Sequence, residues 1–191
     1  MASRQTLVSA HDLDLVAMGA AGDRAAFGEL VRRHGSAVRA LLRRMGADAP
    51  LADDLAQDAF LAAFEQIGDF RGEGTFQAWA KRIAARLYVR RWKKDARLDF
   101  AADPEAEAIG DAGEGGAVSR IDLDEALKTL SESERVCVSL CYGAGLSHAE
   151  AAAALNAPLG TVKSHVKRGV DKLRARLSHE GDGQREVKVH G

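Results

Sequence analysis

Arg82, Arg86, Arg90 and Lys94 follow one another at intervals of four, the spacing that gathers side chains on one face of a helix. Such a ridge breaks no bonds by itself; it attracts the phosphates of a nucleic-acid backbone, and Lys81 adds to it. A second cationic group, Lys163, Lys167 and Arg168, stands with Thr161, Ser164 and His165 where a helix is expected to begin. Residues in the first turns of such a helix point outward, and its start favours an anion, so Thr161 is placed for a phosphate. Lys163 and Lys167 suit phosphates, whereas Arg168 and Ser164 suit a phosphate or a base edge. His165 is open between a base contact and a plain surface position.

Other reactive side chains point to less. Asp54 and Asp58 share a face at i and i+4 and Asp53 is adjacent, but nothing nearby completes an oxygen cage or supplies a nucleophile. These acids suit a basic protein partner, with plain solvation as the alternative. Cys137 and Cys141 share a helical face and are expected to be small buried apolar residues. Trp79 is expected in the core, while Phe70, Phe76 and Trp92 are open between packing and stacking on an unpaired base. There is no Ser/His/Asp set, Gly-rich phosphate loop or His-based metal motif, so no enzyme, cofactor or metal is expected.

The elements that must position these groups are helices. Only Pro50, Pro104 and Pro158 interrupt the chain, and no stretch alternates apolar and polar residues as a strand does, so the fold is expected to be all-α. Asp23 is placed to cap a long helix whose apolar positions Phe27, Leu30, Val31, Val38, Leu41, Leu42 and Met45 step by threes and fours, with Gly46 to close it. Leu51 to Ile67 repeats the spacing, Gly68 to Thr75 forms a loop, and a third helix packs through Phe76, Trp79, Ile83, Ala84 and Leu87. Its basic ridge is expected opposite the Trp79, Ile83 and Leu87 stripe. These three helices make one bundle over residues 12–95, behind a tail at 1–11.

Residues 96–119 are rich in Asp, Glu, Gly and Ala and are expected to be a flexible acidic linker, about 27 Å end to end as a coil. A second helical domain follows over 120–177. Ser131 with Glu134 and Ser147 with Glu150 each match a capping box. Between them Val136, Val138, Leu140 and Tyr142 sit on a helix that Gly143 and Gly145 end. A short Ala-rich helix, a turn through Pro158 and Gly160, and a last helix capped by Thr161, with Val162, Val166, Val170, Leu173 and Leu177 on one face, make a helix-turn-helix. Residues 178–191 are expected to be a disordered tail.

The chain has 191 residues, with 27 Lys and Arg against 28 Asp and Glu, a net charge of −1. That total alone argues against nucleic acid, but the charge is segregated. Gly74 to Leu98 carries eight bases and one acid, and Ala157 to Leu177 six bases and one acid. Asp99 to Glu125 carries nine acids and one base, and Ala47 to Glu73 seven acids and one base. No apolar run is long enough for a membrane span, and the N-terminus lacks the blocks of a signal peptide, so a cytoplasmic protein without membrane insertion is expected. Two cysteines make neither a disulfide framework nor a complete zinc site.

The string from Asp53 through Leu55, Gln57, Asp58 and Phe60 to Phe64, followed by Phe70-Arg71-Gly72-Glu73-Gly74-Thr75-Phe76-Gln77-Ala78-Trp79, resembles domain 2 of the extracytoplasmic-function (ECF) sigma factors of bacterial RNA polymerase. Leu159-Gly160-Thr161-Val162-Lys163-Ser164-His165-Val166-Lys167-Arg168, after Leu130-Ser131-Glu132-Ser133-Glu134-Arg135, resembles their domain 4. The resemblance implies an initiation factor that binds core RNA polymerase and promoter DNA and is held by an anti-sigma factor. It assigns Asp53, Asp54, Gln57 and Asp58 to the polymerase clamp. It assigns Phe70, Arg71, Lys81, Arg82, Arg86 and Arg90 to capture and melting of the −10 element, and Thr161, Lys163, Ser164, His165, Lys167 and Arg168 to the −35 element. Arg86 stands where many members have Asn and His165 where many have Arg, so the promoter preference is this chain's own. Two other readings are a decoy that titrates an anti-sigma factor and a stand-alone helix-turn-helix regulator.

Overall fold

The computed structural model describes the backbone of residues 4–95 and 120–186 and the side chains of residues 7–94 and 123–177. Among the described residues every regular element is helical, as the proline spacing and periodicity predict. The chain divides into two compact units, Met1–Arg97 with Gly143–Gly145, and Leu98–Tyr142 with Leu146–Gly191.

The first unit holds α1 (Arg4–Ser9), α2 (Asp12–Ala20), α3 (Arg24–Met45), α4 (Ala49–Glu65), a 3-10 turn (Ile67–Asp69) and α5 (Phe76–Asp95). The Asp23 carboxylate accepts the amides of Ala25 and Ala26 at 2.9 and 3.2 Å, satisfying donors that the helix start leaves open. Gly46, left-handed at φ 118°, ends α3. Asp48 then accepts the Leu51 amide at 2.9 Å, with Pro50 in the first turn of α4. α3 packs against α2, α4 and α5, and Leu15, Leu30, Leu42, Met45 and Phe76 are fully buried around it. Each such side chain contributes about 1.5–3 kcal/mol of transfer free energy. The buried Tyr88 hydroxyl donates to the Met45 carbonyl at 2.9 Å, tying α5 to an acceptor that the end of α3 leaves open.

The expected tail and three-helix bundle are incomplete descriptions. α1 lies within residues 1–11, and α2 adds a fourth packed helix. A six-residue helix is unstable in isolation, and here it is tied down from α3. The Arg33 guanidinium donates to the carbonyls of Leu7 and Val8 at 2.9 Å and of Ala10 at 2.8 Å, and to Asp12 and Glu29 at 2.9 Å. Arg32 donates to both oxygens of Glu29 at 2.8 and 2.7 Å. Glu29 is 8% exposed, and the hydrogen bonds from Arg32 and then Arg33 hold its carboxyl at a pKa of about 2.

The second unit holds α6 (Arg120–Lys128), α7 (Glu132–Val138), a π-helical turn (Ser139–Gly143), α8 (His148–Leu155) and α9 (Leu159–Glu186). Both capping boxes form. Ser131 and Ser147 accept the amides of Glu134 and Glu150 at 3.3 and 3.2 Å, and the two glutamates accept the serine amides at 2.9 and 2.8 Å. Val138, Leu130, Leu127, Ala126 and Leu173 form the core, with Leu123, Val170 and Leu177 packed on it. α7 and α9 cross closely: a Cβ on Gly169 would lie 2.7 Å from a Val138 methyl. Tyr142, expected on this helix, lies in the π turn and is 65% exposed.

Two boundaries differ from expectation. The Pro158 carbonyl accepts the Val162 amide at 3.2 Å, so α9 begins at Leu159 and Thr161 lies inside its first turn instead of capping it. The helical backbone of α9 also continues through Ser178 to Glu186, a stretch expected to be disordered; no proline interrupts it, and extending a formed helix adds a hydrogen bond per residue. The expected acidic linker at 96–119 and residues 187–191 lie outside the described residues.

Candidate nucleic-acid interface

On α5 the buried face is broad: Phe76, Ala80, Ala84, Ala85, Tyr88, Val89 and Trp92 all lie inside. Phe76 and Trp92 therefore belong to the core. Trp79, Ile83 and Leu87 are only half-buried, Arg82 is half-buried, and Arg86 and Arg90 are exposed. This corrects the expected arrangement. Arg86 stands two turns beyond Trp79 and Arg90 two turns beyond Ile83, so cations and partly exposed apolar side chains share one face instead of opposing each other. Lys81 is half-buried, and burial, followed by the Arg44 charge, pushes its ammonium down from the ordinary lysine range.

The loop before α5 ends beside this face. Gly72 and Gly74 take left-handed φ values of 74° and 89°, which bend the chain on either side of Glu73. Thr75 then accepts the Ala78 amide at 3.1 Å and starts α5. The half-buried Phe70 ring lies 5.5 Å from Trp79 and 6.1 Å from Phe76, and Trp79 and Phe76 are 5.7 Å apart. The loop thus presents Phe70 beside an exposed Arg71, with an aromatic floor already formed.

On α4, Asp53, Asp54, Gln57 and Asp58 are all exposed, while Ala52, Leu55, Ala56, Ala59, Phe60 and Ala63 are buried. The acidic row expected from the sequence is therefore a surface. Arg39 of α3 approaches Asp53 at 3.6 Å. Between α3 and α4 runs a groove of about 550 Å³ whose wall includes Phe27, Val31, Phe60, Leu61, Asp53 and Gln57.

In the second unit Lys163 and Lys167 are exposed, and His165 and Arg168 are half-buried. Thr161 and Ser164 are 2% and 4% exposed, which corrects their expected outward role. They lie with Val162, Val166 and Gly169 on the packed side of α9, where small side chains permit the close approach to neighbouring helices. Arg168 reaches the His165 ring nitrogen Nδ1 at 3.1 Å and lies 3.8 Å from Glu134. Lys172 donates to both oxygens of Glu134 at 2.8 Å. Burial pushes the Glu134 carboxyl up, but the Lys172 ammonium and the Ser131 amide outweigh it, and the carboxyl titrates below its ordinary value. Glu134 was legible as a cap residue; its ties to α9, 38 residues on, left no local signal.

Cys137 is buried as expected, whereas Cys141 is only half-buried; burial pushes their thiols up to about 12 and about 11. Among the described residues no group of three or more His, Cys, Asp or Glu side chains is arranged to hold a metal ion, and no helix is long and apolar enough to cross a membrane.

Two helical modules thus carry an acidic surface on one helix and cationic surfaces on two others, an arrangement suited to binding a basic partner and nucleic acid. Residues 30–98 match the family model for sigma-70 region 2 and residues 126–175 that for sigma-70 region 4. The chain is 34% identical to the ECF RNA polymerase sigma factor SigE of Mycolicibacterium smegmatis over 83% of its own length and 65% of the relative's. It is 33% identical to the RNA polymerase sigma factor NccH of Alcaligenes xylosoxydans xylosoxydans, over 87% of its own length and 94% of the relative's. Among solved structures it is similar to CnrH in complex with the cytosolic domain of CnrY, at 30% identity and a TM-score of 0.51, over 88% of this chain and 97% of that one. It is also similar to RpoE of Bartonella quintana in complex with the anti-sigma factor NepR, at 25% identity and a TM-score of 0.50, over 80% of this chain and 96% of that one. The chain belongs to the ECF group of the sigma-70 family.

Proposed function

We propose that this chain binds core RNA polymerase, directs it to promoter DNA, and is held inactive by an anti-sigma factor. The observation that carries this reading is the segregation of charge by helix: a row of acids on α4, and cations on the outer faces of α5 and α9. Asp53, Asp54, Gln57 and Asp58 serve the polymerase clamp. Phe70, Arg71, Lys81, Arg82, Arg86 and Arg90 capture and melt the −10 element, and Lys163, His165, Lys167 and Arg168 read the −35 element. Thr161 and Ser164 support the last four by packing, not by contact. Residues 12–95 and 120–177 are the two functional domains, with 96–119 as the acidic linker.

Melting in this scheme requires no hydrolysis and no cofactor. Stacking an extruded base on an aromatic side chain returns about 1–3 kcal/mol per base, comparable to the few kcal/mol lost on unstacking it. The chain is accordingly not an enzyme, and it acts in the cytoplasm beside the polymerase. Complex formation by CnrH with CnrY and by RpoE with NepR supports an anti-sigma partner here.

Run-off transcription with purified core polymerase tests the reading, on a promoter taken from an in-vitro selection with this holoenzyme. The double variant Arg86→Glu/Lys163→Glu is expected to abolish promoter-specific transcripts while the helical content stays unchanged. Normal transcription from that variant refutes it. A wild-type chain that binds an anti-sigma factor but yields no transcript would instead be a decoy.

A further inference from the structure

The short helix α2 was absent from the sequence-based expectations, and its contacts give it a role. It packs on the 3-10 turn Ile67–Asp69, immediately before the loop that carries Phe70 and Arg71. Gly19 is the point of closest approach: a Cβ there would lie 2.8 Å from the Ile67 Cδ1 atom. Gly19 has ordinary helical φ, unlike Gly22 at 95°, so what glycine provides at this position is room for the end of the Ile67 side chain and not backbone freedom. At the other end of α2, Leu13 comes within 3.8 Å of where a Gly72 Cβ would stand, although the leucine is 60% exposed. The helix is itself fixed from below. Asp12 binds Arg33 at 2.9 Å and His34 at 2.6 Å, and the His34 ring lies 5.7 Å from Phe76, the same ring that supports Phe70.

We propose that α2 is a positioning element for the base-capturing loop, with Gly19 and Leu13 as its positioning residues. Gly19 lets α2 seat on Ile67 and so sets where the loop leaves α4. Leu13 lies against the bend at Gly72 and so sets where Phe70 and Arg71 are presented. Neither residue need touch DNA. The proposal rests on the reading of residues 70–76 as the −10 capture site.

The test uses the full chain assembled with core polymerase, comparing wild type with Gly19→Leu, Gly19→Leu/Ile67→Ala, Leu13→Ala and Phe70→Ala. Polymerase affinity is measured by fluorescence anisotropy, promoter melting by permanganate reactivity of thymines, and loop packing by acrylamide quenching of Trp79, which packs on Phe70, in the free full chain with Trp92→Phe as background. Gly19→Leu is expected to leave polymerase affinity unchanged, to increase quenching, and to reduce melting on the order of ten- to a hundredfold, as ångström-scale misplacement of reacting partners does. Ile67→Ala, which opens space opposite position 19, is expected to restore melting. Leu13→Ala is expected to reduce melting severalfold with no change in thermal midpoint. Wild-type melting in Gly19→Leu, or equal losses of melting and polymerase affinity that Ile67→Ala does not restore, overturns the proposal. If Gly19→Leu fails to fold, Leu13→Ala decides, and wild-type melting there overturns it. If Phe70→Ala melts promoters normally, the reading of the loop falls and this role for α2 falls with it, whatever the quenching reports.

Discussion

Replacing Gly169 with alanine sets two effects of opposite sign against each other, and the structure decides between them. In a solvated helix interior Gly→Ala stabilises by about 0.8–1 kcal/mol. In α9 the added methyl would stand 2.7 Å from Val138 Cγ2 and 3.5 Å from Glu134 Cβ. The first distance requires Val138 to retreat by several tenths of an ångström, and Val138 is 5% exposed within a core closed by Leu130, Leu173 and Leu127. Overpacking of this kind costs about 1–3 kcal/mol, so the net change is a destabilisation of about 1 kcal/mol. Both tryptophans lie in the first unit, so the assay is amide hydrogen exchange over α7 and α9, where that change raises opening about fivefold. Val138→Ala alone destabilises by leaving a cavity, and the double variant is expected to be more stable than the sum of the two singles because each relieves the other. Slower exchange in Gly169→Ala, or additive behaviour of the pair, would refute the close crossing of α7 and α9 as the reason for glycine.

Asp54→Lys is expected to weaken core-polymerase binding on the order of a hundredfold, since it opposes like charges at contact, with no change in thermal midpoint; anisotropy with labelled chain measures it. Lys167→Ala should lower promoter affinity evenly across sequences and reduce the salt slope of binding by about one, measured by titration at several salt concentrations. Glu29 is depressed from 4.5 to about 2 by Arg32 and Arg33, so its stabilisation is complete above the unfolded value and is lost as pH falls through the folded one. Glu29→Gln should therefore lower the thermal midpoint at pH 7, and the gap from wild type should close between about pH 4.5 and 2. The Cys137 and Cys141 thiols, raised to about 12 and 11, should alkylate far more slowly with iodoacetamide at pH 8 than an exposed cysteine, and Cys137 more slowly than Cys141.

What could be read from the sequence was chemistry that acts over three or four residues. Asp23, Ser131 and Ser147 cap helices through bonds to amides two or three positions away, so these cap residues announce their helices, whereas the Asp48 cap of α4 emerged only from the structure. The resemblance to ECF sigma factors rested on equally local strings. α1 and α2 escaped because their support comes from Arg33, 21 to 26 residues along the chain, and no local pattern records such a contact. The phase of α5 was misjudged for a different reason, since the seven-residue steps from Trp79 to Arg86 and from Ile83 to Arg90 already place cations on the same face. Ala84 and Ala85 are small enough to be buried on a broad face, so the large residues Trp79, Ile83 and Leu87 marked its edge, not its centre. Thr161 looked like a cap because of its type, yet Pro158 already occupies that position.

The corrected phase of α5 sharpens the argument from charge. A net charge of −1 hides cations and acids carried on separate helices, and at distances beyond a Debye length of about 8–10 Å such blocks largely cancel. The free chain therefore gains little long-range attraction to DNA, and its cationic faces act only once they are brought to contact. At contact the face of α5 offers more than charge: Arg82, Arg86 and Arg90 alternate with Trp79, Ile83 and Leu87, and Phe70 leans on Trp79 at 5.5 Å. A duplex presents phosphates to such a face but no base planes. A single strand presents both, so the interleaving of cations with half-exposed apolar surface supports the proposed role of this face in holding the melted strand.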